Sequence, residues 1–250
     1  EVLLPKFEIP PDFIDGKASE IDASFLRIVA LKEKDWRDKQ LSEDVITDLK
    51  AEMRVIAEQF VYMTELTYIG AKKRYPDLTP EIKERIDFEL ATIERMGYPG
   101  YFLIVADFIT EARRLGVSVG PGRGSAAGSA IAYCLGITNV DPIKFDLLFE
   151  RFLNPDRISM PDIDIDFDDE GRGLVIDYVI NKYGPSQVAQ IITYGTMGGK
   201  SAIKDTARVL NLPLDDANSL TKMFPDSLDA KLRALLKPGG IDPKYLGKIE

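Results

Sequence analysis

The sequence predicts an α+β chain built in two parts. Three observations point there: long stretches with apolar residues at helical spacing, three short segments of extended character at 117–119, 159–167 and 188–196, and a shift toward basic composition near residue 194. With 250 residues and 45% apolar composition, the chain can bury a sizeable core, enough for one large domain or two ordinary ones.

The opening EVLLPKFEIPPDFIDGK reads as an extended lead-in, because Pro5, Pro10 and Pro11 oppose a helix there. Residues 19–75 then carry a long helical signal interrupted around Trp36. Its second half starts at Ser42, a good N-cap, and repeats Val45, Leu49, Met53, Ile56 and Phe60 at helical spacing. The next helix opens at Thr79–Pro80, a capping hydroxyl followed by a proline where proline is tolerated, and stops at Gly97. Ile82, Ile86, Leu90 and Ile93 form its buried stripe. GYFLIVADFITEARRLG is a third helix, more apolar and so more deeply buried, ending at Gly116. After VSV and a glycine-rich loop, DPIKFDLLFERFLNP predicts a short amphipathic helix and SMPDIDIDF a strand. DEGRGLVIDYVINKYG then returns to helix, and VAQIITYGT is a further strand or extended run. Beyond 194 the pattern is helical again, so the expected domains are residues 1–193 and 194–250.

Net charge is −9, which read alone argues against a partner bound through phosphates. Residues 194–250, however, hold nine Lys/Arg against seven Asp/Glu, so the first 193 residues carry −11 and the remainder +2. There is no histidine, which excludes histidine-ligated zinc, an imidazole base and the serine or cysteine triads that need one. The single cysteine, Cys134, lies among apolar neighbours and reads as a buried thiol in a reducing compartment such as the cytoplasm. No secretory signal opens the chain and no run reaches 18 uninterrupted apolar residues, so no membrane span is expected. A first residue of Glu1 rather than Met suggests a processed or excised fragment.

GPGRGS, residues 120–125, places an arginine between glycines and a serine where a helix is expected to begin. Free N–H groups of that first turn, with Arg123, would make an anion site. The competing reading is a tight turn into a core helix. No Gly-Lys-Ser/Thr ends the loop and Ala127 stands where a dinucleotide fingerprint needs its third glycine, so neither of those phosphate motifs applies.

In MPDIDIDFDDEG, residues 160–171, an extended backbone puts Asp162, Asp164 and Asp166 on one face and Ile163, Ile165 and Phe167 on the other. Carboxylates two residues apart are separated by roughly 6–7 Å and suit a hard cation such as magnesium. An acidic face turned to water, or to Arg151 and Arg157, is the alternative. A helix-loop-helix calcium site is excluded, since its sixth position would be Phe167 and its twelfth Gly173. Asp168, Asp169 and Glu170 are better explained as the negative start of the following helix. Together, the loop and the acidic segment are the parts a nucleotide-dependent enzyme needs to hold a triphosphate with its metal.

MGYPGYFLIVADFI, VGPGRGSAAGS, DPIKFDLLFERFLNPDRISMPDIDIDFDDEGR and AQIITYGTMGGKSAIKD, in that order from about residue 77 to 210, resemble the alpha subunits of bacterial DNA polymerase III, the C-family replicative polymerases. The resemblance implies a polymerase beta-like nucleotidyltransferase palm, a small mixed sheet with flanking helices, followed by a helical partial thumb. It implies that Asp162 and Asp164 are catalytic and hold two Mg2+ ions, with Asp166 a further candidate. Arg123, Gly124 and Ser125 would hold the incoming triphosphate, and Lys200, Lys204 and Arg208 the duplex backbone. Expected partners are primer–template DNA, deoxynucleoside triphosphates and other replicase subunits bound through regions outside this chain. The third catalytic aspartate would follow residue 250, so the fragment alone is expected to be inactive. MGGK departs from the family, where alanines usually replace Gly198 and Gly199, which predicts a looser first helical turn. Two other functions remain open: another polymerase beta-like nucleotidyltransferase, and an acidic scaffold that binds basic proteins.

Overall fold

A computed structural model of the chain describes residues 4–154, 160–224, 231–235 and 237. The chain divides into two units, residues 1–189 and 190–250.

The first unit is a layered helical assembly. A short helix α1 (Pro11–Gly16) stands where the prolines predict extended chain. Pro11 sits in the first turn, where its missing N–H has no helical acceptor to lose, so the prolines set the start of a helix instead of preventing one. Helices α2 (Ala18–Asp38) and α3 (Glu43–Arg74) replace the long interrupted signal, with Trp36 buried in the last turn of α2. Ser42 caps α3 by accepting from the Val45 N–H at 3.5 Å. At 32 residues, α3 is about 48 Å long and serves as the backbone of the unit. Helix α4 (Pro80–Met96) starts on the Thr79 hydroxyl, which accepts from Ile82 N–H at 3.4 Å, and closes at Gly97 in the left-handed region. Helix α5 (Pro99–Arg114) is the most buried; Phe102, Leu103, Ile109 and Ala112 have almost no exposed surface. They join Met63, Ile86, Ile93, Ile131, Phe149 and Leu153 in one central core.

The remaining elements of this unit are short. A 3-10 turn covers Gly124–Gly128, helix α6 covers Ala130–Cys134 and a second 3-10 turn covers Phe149–Arg151. The amphipathic helix expected over 141–155 is not formed among its described residues. The Asp141 carboxylate accepts from Ile143 and Lys144 N–H, and Asp146 turns the chain at φ 50°, so the segment folds as successive turns. Helix α7 (Arg172–Tyr183) docks on α5 through Asp107, whose carboxylate accepts from Tyr178 (3.0 Å), Tyr183 (2.9 Å) and Lys182 (2.6 Å).

The α+β class and its mixed sheet are corrected by the structure: among the described residues there is no strand. One isolated antiparallel bridge pairs Val119 with Phe167, where Gly120 N–H donates to Asp166 O at 2.9 Å and Asp168 N–H to Ser118 O at 3.2 Å. The physical reason lies in the would-be partners. Pro121 interrupts the 117–119 side, since proline has no N–H to extend a ladder. Residues of the 188–196 segment lie open, with Ile191 90% and Tyr194 89% exposed. Residues 160–167 are therefore extended but anchored by side-chain packing: Ile163 and Ile165 lie against the central core, and Phe167 against a small cluster of Ala112, Val117 and Val175. Ser159, the first residue of the expected strand, lies outside the described residues.

In the second unit, helix α8 (Gly199–Val209) packs on α9 (Leu214–Lys222), with Ala207, Ala217 and Phe224 buried between them. A short helix α10 spans Leu232–Leu235.

Candidate active site

The glycine loop and the acidic segment lie side by side. Gly124, at φ +67°, occupies the left-handed region, and a Cβ on it would come within 3.3 Å of the Asp164 carboxylate. Arg123 Nε pairs with Asp166 Oδ2 at 3.2 Å, both side chains being largely exposed. Asp162, Asp164 and Asp166 are all exposed while Ile163, Ile165 and Phe167 are partly buried, so the backbone does alternate faces. The Tyr101 hydroxyl accepts from Ile163 N–H at 3.2 Å and pins the middle of the segment. Burial pushes this phenol up, the Ile163 N–H pulls against it, and the charges of Asp162 and Asp164 push it further up. Those two carboxylates thus share the surroundings of one hydroxyl.

The anion site expected at a helix start is occupied by the protein itself. Ser125 is exposed and caps nothing; Ser129, four residues on, caps α6 by accepting from Ala132 N–H at 3.1 Å. The N–H groups of Ala130 and Ile131 donate to the fully buried Glu89 carboxylate at 3.0 and 3.1 Å, and the Ser129 hydroxyl donates to it at 2.9 Å. Arg85 Nε completes the set at 2.7 Å. Burial pushes the Glu89 carboxyl up, against these donors and the Arg85 charge. All four partners are donors, and a proton on the carboxyl would displace one of them, so the geometry favours the ionised form. What remains for an external anion is the exposed loop itself: Arg123, Gly124 and Ser125. A cleft of about 520 Å³ opens there, lined by Gly124, Ser125, Asp146, Leu147, Leu148 and Arg151.

Residues 61–242 match the sequence model of the bacterial DNA polymerase III alpha NTPase domain. The chain belongs to this family. It is 52% identical over 187 residues to the DNA polymerase III subunit alpha of Borreliella burgdorferi, a match covering 75% of this chain and 16% of that protein. The subunit alpha of Thermus aquaticus is 54% identical over 179 residues (69% and 15%), and that of Aquifex aeolicus 53% over 168 residues (66% and 14%). The chain therefore spans about one-sixth of the length of the curated relatives it matches.

Within this family member, the hard oxygen donors of Asp162 and Asp164 fit a magnesium ion, which commonly takes one or two carboxylates and fills its remaining positions with water and phosphate. Among the described residues no group of three or more His, Cys, Asp or Glu side chains is arranged to hold a metal. The Asp166 carboxylate is instead engaged by Arg123. Asp168 has a structural task, accepting from Ser118 and Gly171 N–H at 2.5 Å each and so fixing the turn before α7. Arg157 lies outside the described residues. In the second unit, Lys200, Lys204 and Arg208 recur every fourth residue along α8. Lys200 and Lys204 line a recess of about 450 Å³ with Ser201, Thr221 and Lys222, whereas Arg208 pairs with Asp205 at 3.1 Å. Tyr101, Arg85 and Glu89 are the participants that sequence reasoning missed. Glu89 had a signal: it falls inside the Ile82, Ile86, Leu90, Ile93 stripe of α4, where an unpaired charge has no place.

Cys134 is buried and free, and burial pushes its thiol up to about 12. Among the described residues no helix is long and apolar enough to cross a membrane.

Proposed function

We propose that this chain forms the nucleotide-handling part of a replicative, DNA-directed DNA polymerase of the bacterial cytoplasm, adding deoxynucleotides to a primer 3′-end. The observation that supports the reading is the close approach of Gly124 to Asp164, where an added Cβ would lie 3.3 Å from the carboxylate, so the glycine loop runs beside exposed carboxylates on a core-anchored backbone. Arg123 and the N–H groups of Gly124 and Ser125 hold the phosphates; Asp162 and Asp164 hold divalent metal, Mg2+ by the hardness of their donors. Bound magnesium supplies charge neutralisation on the triphosphate and makes the primer hydroxyl easier to deprotonate. Ile163 and Ile165 keep the two aspartates pointed outward, and Tyr101 fixes the backbone between them. Lys200, Lys204 and Arg208 contact the phosphate backbone of primer–template DNA, which positions the duplex without reading its sequence. Other replicase subunits bind elsewhere on the complete protein.

The test is calorimetric binding of a deoxynucleoside triphosphate with magnesium to the unaltered chain and to Asp162→Asn/Asp164→Asn. Binding weakens by about tenfold or more in the double variant, the loss expected when charge-assisted contacts are removed. Equal binding by both proteins overturns the site assignment. With two free carboxylates in the described site, the purified chain alone extends a primer little or not at all; template-directed extension refutes that statement.

A further inference from the structure

Arg85 and Glu89, one turn apart on α4, tie together the two walls of the cleft beside the glycine loop. Arg85 Nη2 donates to Gly128 O at 2.8 Å, where the loop ends, and to Leu147 O at 3.0 Å on the facing wall. Its Nε is held by the Glu89 carboxylate, itself locked by Ser129, Ala130 and Ile131. The walls also touch directly: a Cβ on Gly128 would lie 2.6 Å from Leu148 O, so this glycine is required by close backbone approach. Gly124, Ser125 and Arg151 line the same cleft. A guanidinium fork serves two carbonyls and a carboxylate at once; a lysine ammonium at the same site cannot reproduce that planar geometry.

We propose that Arg85 is a positioning residue for nucleotide binding, setting the opening of the cleft in which Gly124 and Ser125 meet the triphosphate. It touches no phosphate; it acts by clamping Gly128 O and Leu147 O to one rigid group. Preorganised donors bind more tightly because they lose less freedom on binding, so releasing the clamp weakens nucleotide binding without altering the reacting atoms. The inference rests on the reading that the loop holds nucleotide phosphates.

The test uses Arg85→Lys in the full-length protein that carries this chain, with dATP binding measured on a primer ending in a dideoxynucleotide. Lysine keeps a charge beside Glu89, so the fold is retained. The dissociation constant and KM for dATP rise about tenfold, while kcat, KM for primer–template and Tm stay within about twofold or about 2 °C of the unaltered protein. Should Arg85→Lys lose its fold, Arg85→Gln, which leaves Glu89 with its Ser129, Ala130 and Ile131 donors, carries the same measurement. A folded variant with unchanged dATP affinity overturns the proposal, as does a loss spread equally over nucleotide, DNA and thermal stability. Asp162→Asn is run alongside: if it leaves extension intact, the assignment of Asp162 to the metal falls, and the clamp is still judged by the dATP dissociation constant. No dATP binding by the unaltered protein overturns both.

Discussion

Replacing Glu89 by alanine removes the acceptor for four donors at once. Ala130 and Ile131 N–H lose their partner inside the core, since the Glu89 side chain has no exposed surface. Each orphaned buried donor costs about 1–3 kcal/mol. The Ser129 hydroxyl can turn elsewhere, and Arg85 keeps a quarter of its side chain in water and two carbonyl acceptors, which softens its loss. The total is about 3–5 kcal/mol, in line with breaking a buried ion pair from one side. Glu89→Gln keeps the shape and one acceptor oxygen but turns an NH2 group toward donors, so about 2–4 kcal/mol is expected. Urea unfolding followed by the single tryptophan, Trp36, and by helical circular dichroism measures both. A change below about 1 kcal/mol for Glu89→Ala would falsify the ionised, four-donor description.

Cys134 should react with a disulfide reagent at pH 8 about a thousandfold more slowly in the folded protein than in urea, because its thiol is pushed up to about 12; prompt stoichiometric reaction of the native protein contradicts its burial. Gly198→Ala should be nearly neutral, since nothing lies within 4 Å of the added methyl, whereas Gly199→Ala should destabilise the second unit by about 1–3 kcal/mol because the methyl overlaps the Phe224 ring. Equal unfolding midpoints for the two variants refute the close packing of Gly199.

Much of the helical framework was legible because its signals are local. Ser42, Thr79, Pro80 and Gly97 each act within one helical turn, and the structure uses Ser42 and Thr79 as caps, Pro80 as the first helical residue and Gly97 as the stop. The alternation of aspartate and apolar residues in 160–167 was legible for the same reason, period two being a property of the extended backbone itself. Strand pairing was not legible, because it depends on a distant partner: Val119 meets Phe167 across 48 residues, and Pro121 ends the encounter after one bridge. The loop was half read. GPGRGS does lie against the acidic segment, but the helix start moved from Ser125 to Ser129, and its free N–H groups were claimed by Glu89 from 40 residues away. Only the misplaced charge in the α4 stripe hinted at that long-range neutralisation.

The alternation in residues 160–167 gives the segment a parity. Because Ile163 and Ile165 pack against the central core and only one bridge, at Phe167, pairs the backbone among the described residues, the register rests on that packing together with the Tyr101 contact to Ile163 N–H. Sliding by one residue would send Asp162 and Asp164 inward among apolar side chains, while sliding by two would restore the same alternation. Insertions or deletions here should therefore be tolerated in pairs and rejected singly, an odd-even rule that any lineage of this sequence has to obey.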